Sequence, residues 1–132
     1  MTSENRQRNV DAERAKGERS LRAATDLLRL GHHDDAVSRA YYAAYHHLQA
    51  LLFTEGLQAR THEGVHDLFF LHFVQPGHLP RRLAKLCSSL QRFREQADYS
   101  RAFSFDEEGA REEVEKAREV CEAVARHLDS GS

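Results

Sequence analysis

The sequence predicts an all-α fold, an up-and-down helical bundle of four long helices plus one shorter helix. Three observations carry that prediction. Apolar residues recur at alternating steps of three and four, no stretch alternates with the period of a strand, and glycine, proline and capping residues cut the chain into five helix-length pieces. At 132 residues the chain reads as one domain, 1–132. It is large enough to bury roughly two-thirds of its unfolded surface without a disulfide or a metal.

The first helix runs from about Glu4 to Leu30, where Gly31 is a natural stop. Asp34 or Asp35 is placed to cap the second, which carries three of the four tyrosines and ends at Gly56. Thr61 is placed to cap a shorter third helix, Thr61 to Val74, stopped by Gln75-Pro76-Gly77. Pro80, at a first-turn position, opens the fourth. After a loop around Ser100 to Ser104, Ser104-Phe105-Asp106-Glu107 has the form of a capping box and opens the fifth. Only the tail Ser130-Gly131-Ser132 reads as loose.

Apolar stripes show how these helices assemble. The second presents Val37, Tyr41, Ala44, Leu48 and Leu51; the fourth Leu79, Leu83, Leu86, Leu90, Phe93 and Ala97; the fifth Ala110, Val114, Ala117, Cys121, Val124 and Leu128. Such spacing suits long antiparallel helices packed at about 20°. The third helix differs, because Leu68-Phe69-Phe70-Leu71-His72-Phe73-Val74 is apolar almost all round. A helix of that kind is buried on two sides, and in a small bundle the second side points to another subunit, hence a homodimer. A helix buried deeply within one subunit is the alternative.

Composition narrows the function classes. The formal net charge is -2, which does not mark a nucleic-acid binder, but its distribution is uneven. Arg81, Arg82, Lys85, Arg92, Arg94 and Arg101 against Glu95 and Asp98 give the segment 80–101 a charge of +4, whereas nine acids against Arg111, Lys116, Arg118 and Arg126 give 106–129 a charge of -5. Either the two helices attract each other or the basic one is a phosphate-binding face. Cys87 and Cys121 stand in no paired motif and fall on or beside apolar stripes, which predicts a reduced, buried pair in a cytoplasmic protein. No stretch approaches the roughly 18 apolar residues of a membrane span, and no leader-like apolar run follows the polar N-terminus.

Two constellations carry candidate chemistry. His62-Glu63-Gly64-Val65-His66 spells H-E-x-x-H, in which two histidines one helical turn apart share zinc and the glutamate activates water. A zinc hydrolase would draw a third ligand from His72, His78 or a later acid. Gly64, and the place of His62 right after the Thr61 cap, count against that reading. Arg94, Asp98 and Tyr99 form the second constellation. Arg94 and Asp98 are four apart and share a helix face, as an ordinary ion pair would. An arginine so held is also aimed at phosphate, with a phenol beside it. Tyrosine is concentrated in Tyr41-Tyr42-Ala43-Ala44-Tyr45 and at Tyr99. Tyr41 lies on the packing stripe and Tyr45 on its margin, while Tyr42 points off it; Tyr42 and Tyr99 are expected near Arg94.

Ser38-Arg39-Ala40-Tyr41-Tyr42-Ala43-Ala44-Tyr45-His46 followed by Ala50-Leu51-Leu52, then Thr61-His62-Glu63-Gly64-Val65 before Leu68-Phe69, then Arg94-Glu95-Gln96-Ala97-Asp98-Tyr99, resembles the HEPN family (higher eukaryotes and prokaryotes nucleotide-binding domain). The resemblance spans Leu21 to Leu128 and belongs to the branch with an Arg-x-x-Ala-Asp-Tyr motif. It implies a helical bundle, usually dimeric, often produced with a small nucleotidyltransferase in toxin–antitoxin pairs. It also implies metal-independent ribonuclease activity in many members, through an arginine followed after four to six residues by a histidine, and in some pairs a tyrosine modified with AMP. Here Asp98 and Tyr99 follow Arg94 where that pattern has histidine. Histidine titrates near neutrality and an exposed aspartate does not.

The favoured expectation is a HEPN-like module that binds nucleotide, RNA or a nucleotidyltransferase partner through Arg94, Tyr99, Arg39 and Tyr42, with Asp98 holding Arg94. No cofactor and no metal are expected for it. Second stands a divergent metal-independent ribonuclease with Arg94, Asp98 and Tyr99 in its site; third, the zinc hydrolase.

Overall fold

Helix ends in this chain are set by local chemistry that the sequence spells out. The computed structural model describes residues 2–100 and 102–131, and five α-helices account for most of them. Helix α1 (Ser3–Arg29) ends where Gly31 takes a φ of 85° and the His32 amide donates back to the Leu27 carbonyl at 2.9 Å. This closure needs a residue in the left-handed region, which glycine enters without a Cβ clash. Helix α2 (His33–Thr54) ends similarly before Gly56, with φ 69°. Helix α3 (His62–Phe69) is capped as expected by Thr61, whose hydroxyl accepts from the Gly64 amide at 2.9 Å. Helices α4 (Arg81–Tyr99), opened by Pro80, and α5 (Glu107–Asp129) complete the bundle.

Two expected caps are placed differently. Helix α2 starts at His33, so Asp34 and Asp35 lie within its first turn, favourable to the helix dipole. The Asp34 carboxylate accepts instead from the Phe105 amide at 2.9 Å. That bond, with burial of the Phe105 ring to 9 % exposure against Phe93 and Phe103, holds the chain before α5 in a loop. The helix begins two residues later than the Ser104 capping box would place it, with Asp106 accepting from Gly109 at 2.7 Å.

Helix α2 is the central element and touches every other α-helix. Twelve of its 22 residues are buried, among them all five of the predicted stripe. The α1–α2 seam closes at Gly17, where an added Cβ would stand 2.3 Å from His47 Nδ1 and 3.1 Å from the Ala43 carbonyl. The buried His47 donates from Nδ1 to that carbonyl at 2.7 Å, and burial lowers its pKa.

The apolar run after α3 departs from the expected helix. Phe70–Val74 forms a π-helical turn, closed by the Gln75 amide on the Phe70 carbonyl at 2.8 Å. Phe69, Phe73 and Val74 enter the core, whereas Phe70 and Leu71 stay 38 % and 54 % exposed. The run is therefore buried on one side within the subunit, and its other apolar side faces out.

Helices α4 and α5 do attract one another: Arg82 grips Glu119 through two nitrogens at 2.5 and 3.0 Å. Glu113, 2 % exposed, is held by Lys116 at 2.7 Å, which also reaches Ser89. Cys87 and Cys121 are free and buried, with the Cys87 thiol pushed up to about 12 by desolvation. Arg101 and Ser132, counted in the basic segment and the loose tail, lie outside the described residues. Among the described residues no helix is long and apolar enough to cross a membrane.

Candidate functional site

Where α2, α3 and α4 meet, aromatic rings, two imidazoles and one guanidinium converge. The spacing of the tyrosines produces this: 41 and 45 lie one turn apart on the face toward α3, and 42 stands beside them. Tyr41 is the hub. Its ring is 1 % exposed, yet its hydroxyl lies 2.7 Å from His62 Nδ1 and 3.4 Å from His66 Nε2. A phenol has one proton, so it donates to one imidazole and accepts from the N–H of the other. The Thr61 cap fixes the start of α3 and thereby sets His62 and His66, four residues apart, on the face toward α2. The His62 ring lies nearly parallel to Tyr45 at 4.2 Å and to Tyr41 at 5.7 Å.

Arg94 completes the cluster from α4. Its guanidinium carbon lies 4.8 Å from the Tyr41 ring centre and 5.7 Å from that of Tyr42. Its Nη1 donates to Asp98 at 2.8 Å; the arginine side chain is only 12 % exposed, and its buried Nε has no partner. Two aromatic faces and a carboxylate therefore hold a nearly desolvated cation in one orientation. Each such ring contact contributes about 0.5–2 kcal/mol, comparable to the ion pair itself at about 0.3–0.5 kcal/mol. Arg39 continues the row, its guanidinium carbon 5.9 Å from the Tyr42 ring centre. On the α1 side, His46 pairs with Glu13 at 2.7 Å, and Lys16, Arg19, Arg39 and His46 line a shallow groove.

Burial decides the protonation of the cluster. Desolvation raises Tyr41 well above the ordinary phenol value, with Arg94 opposing the shift, and also raises Tyr45. It lowers both His62 and His66; Arg94 lowers His62 further, and His62 does the same to His66. Both imidazoles are thus biased to the neutral form beside a permanent cation. The guanidinium is tied to Asp98 through Nη1, which leaves Nη2 as a charged donor for an anion.

The sequence-derived candidates separate accordingly. Arg94, Asp98, Tyr42 and Arg39 come together. Tyr99 does not join them: at the end of α4 it is 80 % exposed, with no side-chain partner among the described residues. The H-E-x-x-H residues split, since His62 and His66 both turn onto Tyr41 while Glu63 is exposed. No group of three or more His, Cys, Asp or Glu side chains among the described residues is arranged around a metal position. Tyr41, assigned above to packing alone, and His62 and His66, read above only as candidate zinc ligands, are the residues that join this cluster unexpectedly. Their signal was present in the i, i+4 histidines and the i, i+4 tyrosines, each pair on one helix face.

Comparison with known proteins gives the family of the chain. The HEPN domain family matches residues 12–128. A "UPF0332 protein" of Thermotoga maritima is 31% identical over 94 residues, which cover 71% of each chain. A Methanocaldococcus jannaschii protein named "Putative toxin MJ0605" is 37% identical over 83 residues, covering 63% of this chain and 62% of its own. The crystal structure of TT1696 from Thermus thermophilus superposes with a TM-score of 0.77 at 20% identity, over 89% of this chain and 97% of that one, a likeness of fold. With a family match spanning nearly the whole described chain, this protein belongs to the HEPN domain family.

Proposed function

We propose that this chain is a toxin-like HEPN module that binds phosphate-bearing ligands, a nucleotide or RNA, at Arg94, and that it works as a homodimer paired with a small nucleotidyltransferase. One observation carries the binding reading: Arg94 is held by Asp98 at 2.8 Å and laid over Tyr41 and Tyr42, its charge fixed before any ligand arrives. A cation already ordered loses little side-chain entropy on binding. Tyr42 and Arg39 extend the site with a stacking face and a second cation, and the groove of Lys16, Arg19 and Arg39 offers further phosphate contacts. The name of the M. jannaschii relative supports the toxin-like reading. The outward Phe70 and Leu71 support a second subunit, and the exposed Tyr99 is the group that a partner enzyme would reach.

Binding of a fluorescent single-stranded RNA should weaken by roughly 10- to 100-fold in Arg94→Ala, the scale of one lost charged hydrogen-bonding group. Circular dichroism of the variant should stay helical. Equal affinity in a folded Arg94→Ala would remove the assignment.

A second reading, a divergent metal-independent ribonuclease, is favoured by the His62 imidazole from α3, which shares the Tyr41 ring with Arg94 and feels its charge although α4 itself carries Asp98. It requires RNA cleavage that persists with chelator and disappears in Arg94→Ala.

A further inference from the structure

We propose that His62, from α3, is the second phosphate ligand of the Arg94 site, so that one phosphate is clamped between two helices and its arrival draws a proton onto the imidazole. The inference rests on the reading of Arg94 as a phosphate site and adds to it a residue outside the Arg-x-x-Ala-Asp-Tyr motif.

Geometry carries it. Arg94 and His62 touch the same two rings: Arg94 lies over Tyr41 at 4.8 Å and Tyr42 at 5.7 Å, and His62 packs on Tyr41 at 5.7 Å and edge-on to Tyr42 at 6.0 Å. Both groups thus border the same pair of rings, and the Arg94 charge is near enough to act on the His62 imidazole. His62 is oriented from one edge only, by its Nδ1 on the Tyr41 hydroxyl at 2.7 Å, and its Nε2 has no partner among the described residues. Stacking on Tyr45 at 4.2 Å prevents the ring from tipping away. An imidazole locked on one nitrogen holds the other in a fixed direction, and once the ring is protonated that nitrogen is a donor whichever tautomer it started from.

The charges around His62 give the inference a measurable signature. From α2 it faces Tyr41, Tyr42, Tyr45 and His46; from α3, His66; from α4, Arg94 and Glu95. In the empty site, burial and then Arg94 and His46 push its pKa below 6.5, while Glu95 pulls it up. A bound phosphate neutralises the effect of Arg94 and adds negative charge of its own, so the pKa rises on binding. By linkage, the protein takes up a proton with the ligand, and affinity increases as the pH falls through the raised, ligand-bound pKa of His62 and levels off below its lowered value in the empty site.

The test is calorimetric titration of the full chain near neutral pH with two probes, in two buffers that differ in ionisation enthalpy. The dinucleotide ApA supplies a phosphodiester that does not titrate in this range, and 5′-AMP supplies a phosphomonoester; the tighter probe identifies the source of the phosphate. Wild type should take up a measurable fraction of a proton with ApA. His62→Gln, which keeps a hydrogen-bonding partner for Tyr41, should bind roughly tenfold more weakly and lose the proton uptake. In unsubstituted protein, imidazole nitrogen spectra should show the His62 titration moving to higher pH when probe is added, which gives the answer even if the variant unfolds. Binding that is lost in Arg94→Ala but keeps its strength and proton linkage in His62→Gln would overturn the role of His62 and leave the Arg94 site standing. Absence of binding by both probes in wild type would overturn the two together.

Discussion

Phe69→Ala is expected to cost about 3–5 kcal/mol of folding stability, the range for deleting a buried phenyl ring. Phe69 is 1 % exposed, stacks on Phe73 at 6.4 Å, and with Val65 supplies the buried side chains of α3. An eight-residue helix has little stability of its own and keeps its place through such anchors. The loss is a large share of the roughly 5–15 kcal/mol that holds a domain of this size together. It should also reach the site, because α3 carries His62 and His66 to Tyr41. Urea denaturation measures the first effect and the His62 imidazole resonances the second. A loss below about 1 kcal/mol would show that α3 is not held by this ring.

Gly17→Ala is expected to destabilise by about 2 kcal/mol or more, against the sign that helix propensity alone predicts. In the interior of α1 an alanine would ordinarily gain about 0.8–1.0 kcal/mol over glycine. Here the new Cβ falls 2.3 Å from His47 Nδ1, a contact no packed atom pair tolerates. His47 cannot swing aside cheaply, since it is buried and its Nδ1–H bonds the Ala43 carbonyl of its own helix. The two helices must part instead, along the seam where α1 covers α2. A double-mutant cycle isolates the cause. In a His47→Ala background the two nearest atoms are gone and the Ala43 carbonyl at 3.1 Å is the next, so Gly17→Ala should cost at least about 1 kcal/mol less there. Equal costs in both backgrounds would place the strain elsewhere.

The fold was legible in the sequence because its signals are local. Apolar stripes marked the buried faces of α2, α4 and α5, and Gly31, Gly56 and Thr61 marked ends that the structure keeps. What could not be read was decided between elements. Asp34 resembles a cap in sequence, and only the fold brings the Phe105 amide to it from 71 residues away. The π-helical turn at Phe70–Val74 likewise reflects which of several adjacent apolar side chains the core accepts, and every one of them had the same claim by composition.

The candidate site divides along the same line. Arg94 with Asp98 is an i, i+4 pair and could be read on one helix, as could the off-stripe position of Tyr42. The link between His62 and Tyr41 joins residues 21 apart on different helices, and the spelling H-E-x-x-H drew attention to zinc instead of to the phenol that both imidazoles share. Tyr41 shows why a stripe position does not settle what a residue touches: its ring packs in the core while its hydroxyl bonds His62. Tyr99, close to Arg94 in sequence, stands five residues on and so about 140° round the helix, with its ring in solvent.

The central claim, that Arg94 is an ordered cation waiting for phosphate, is tested most directly by arginine side-chain NMR. The Arg94 Nε is buried and has no partner, so its hydrogen should exchange slowly with water and give a resolved signal among sixteen arginines. On titration with single-stranded RNA the account predicts that this signal shifts in a saturable way, and that it moves before those of the exposed Arg111 and Arg126 on α5. An Arg94 signal that stays fixed while RNA binds, with the shifts falling on other arginines, would contradict it.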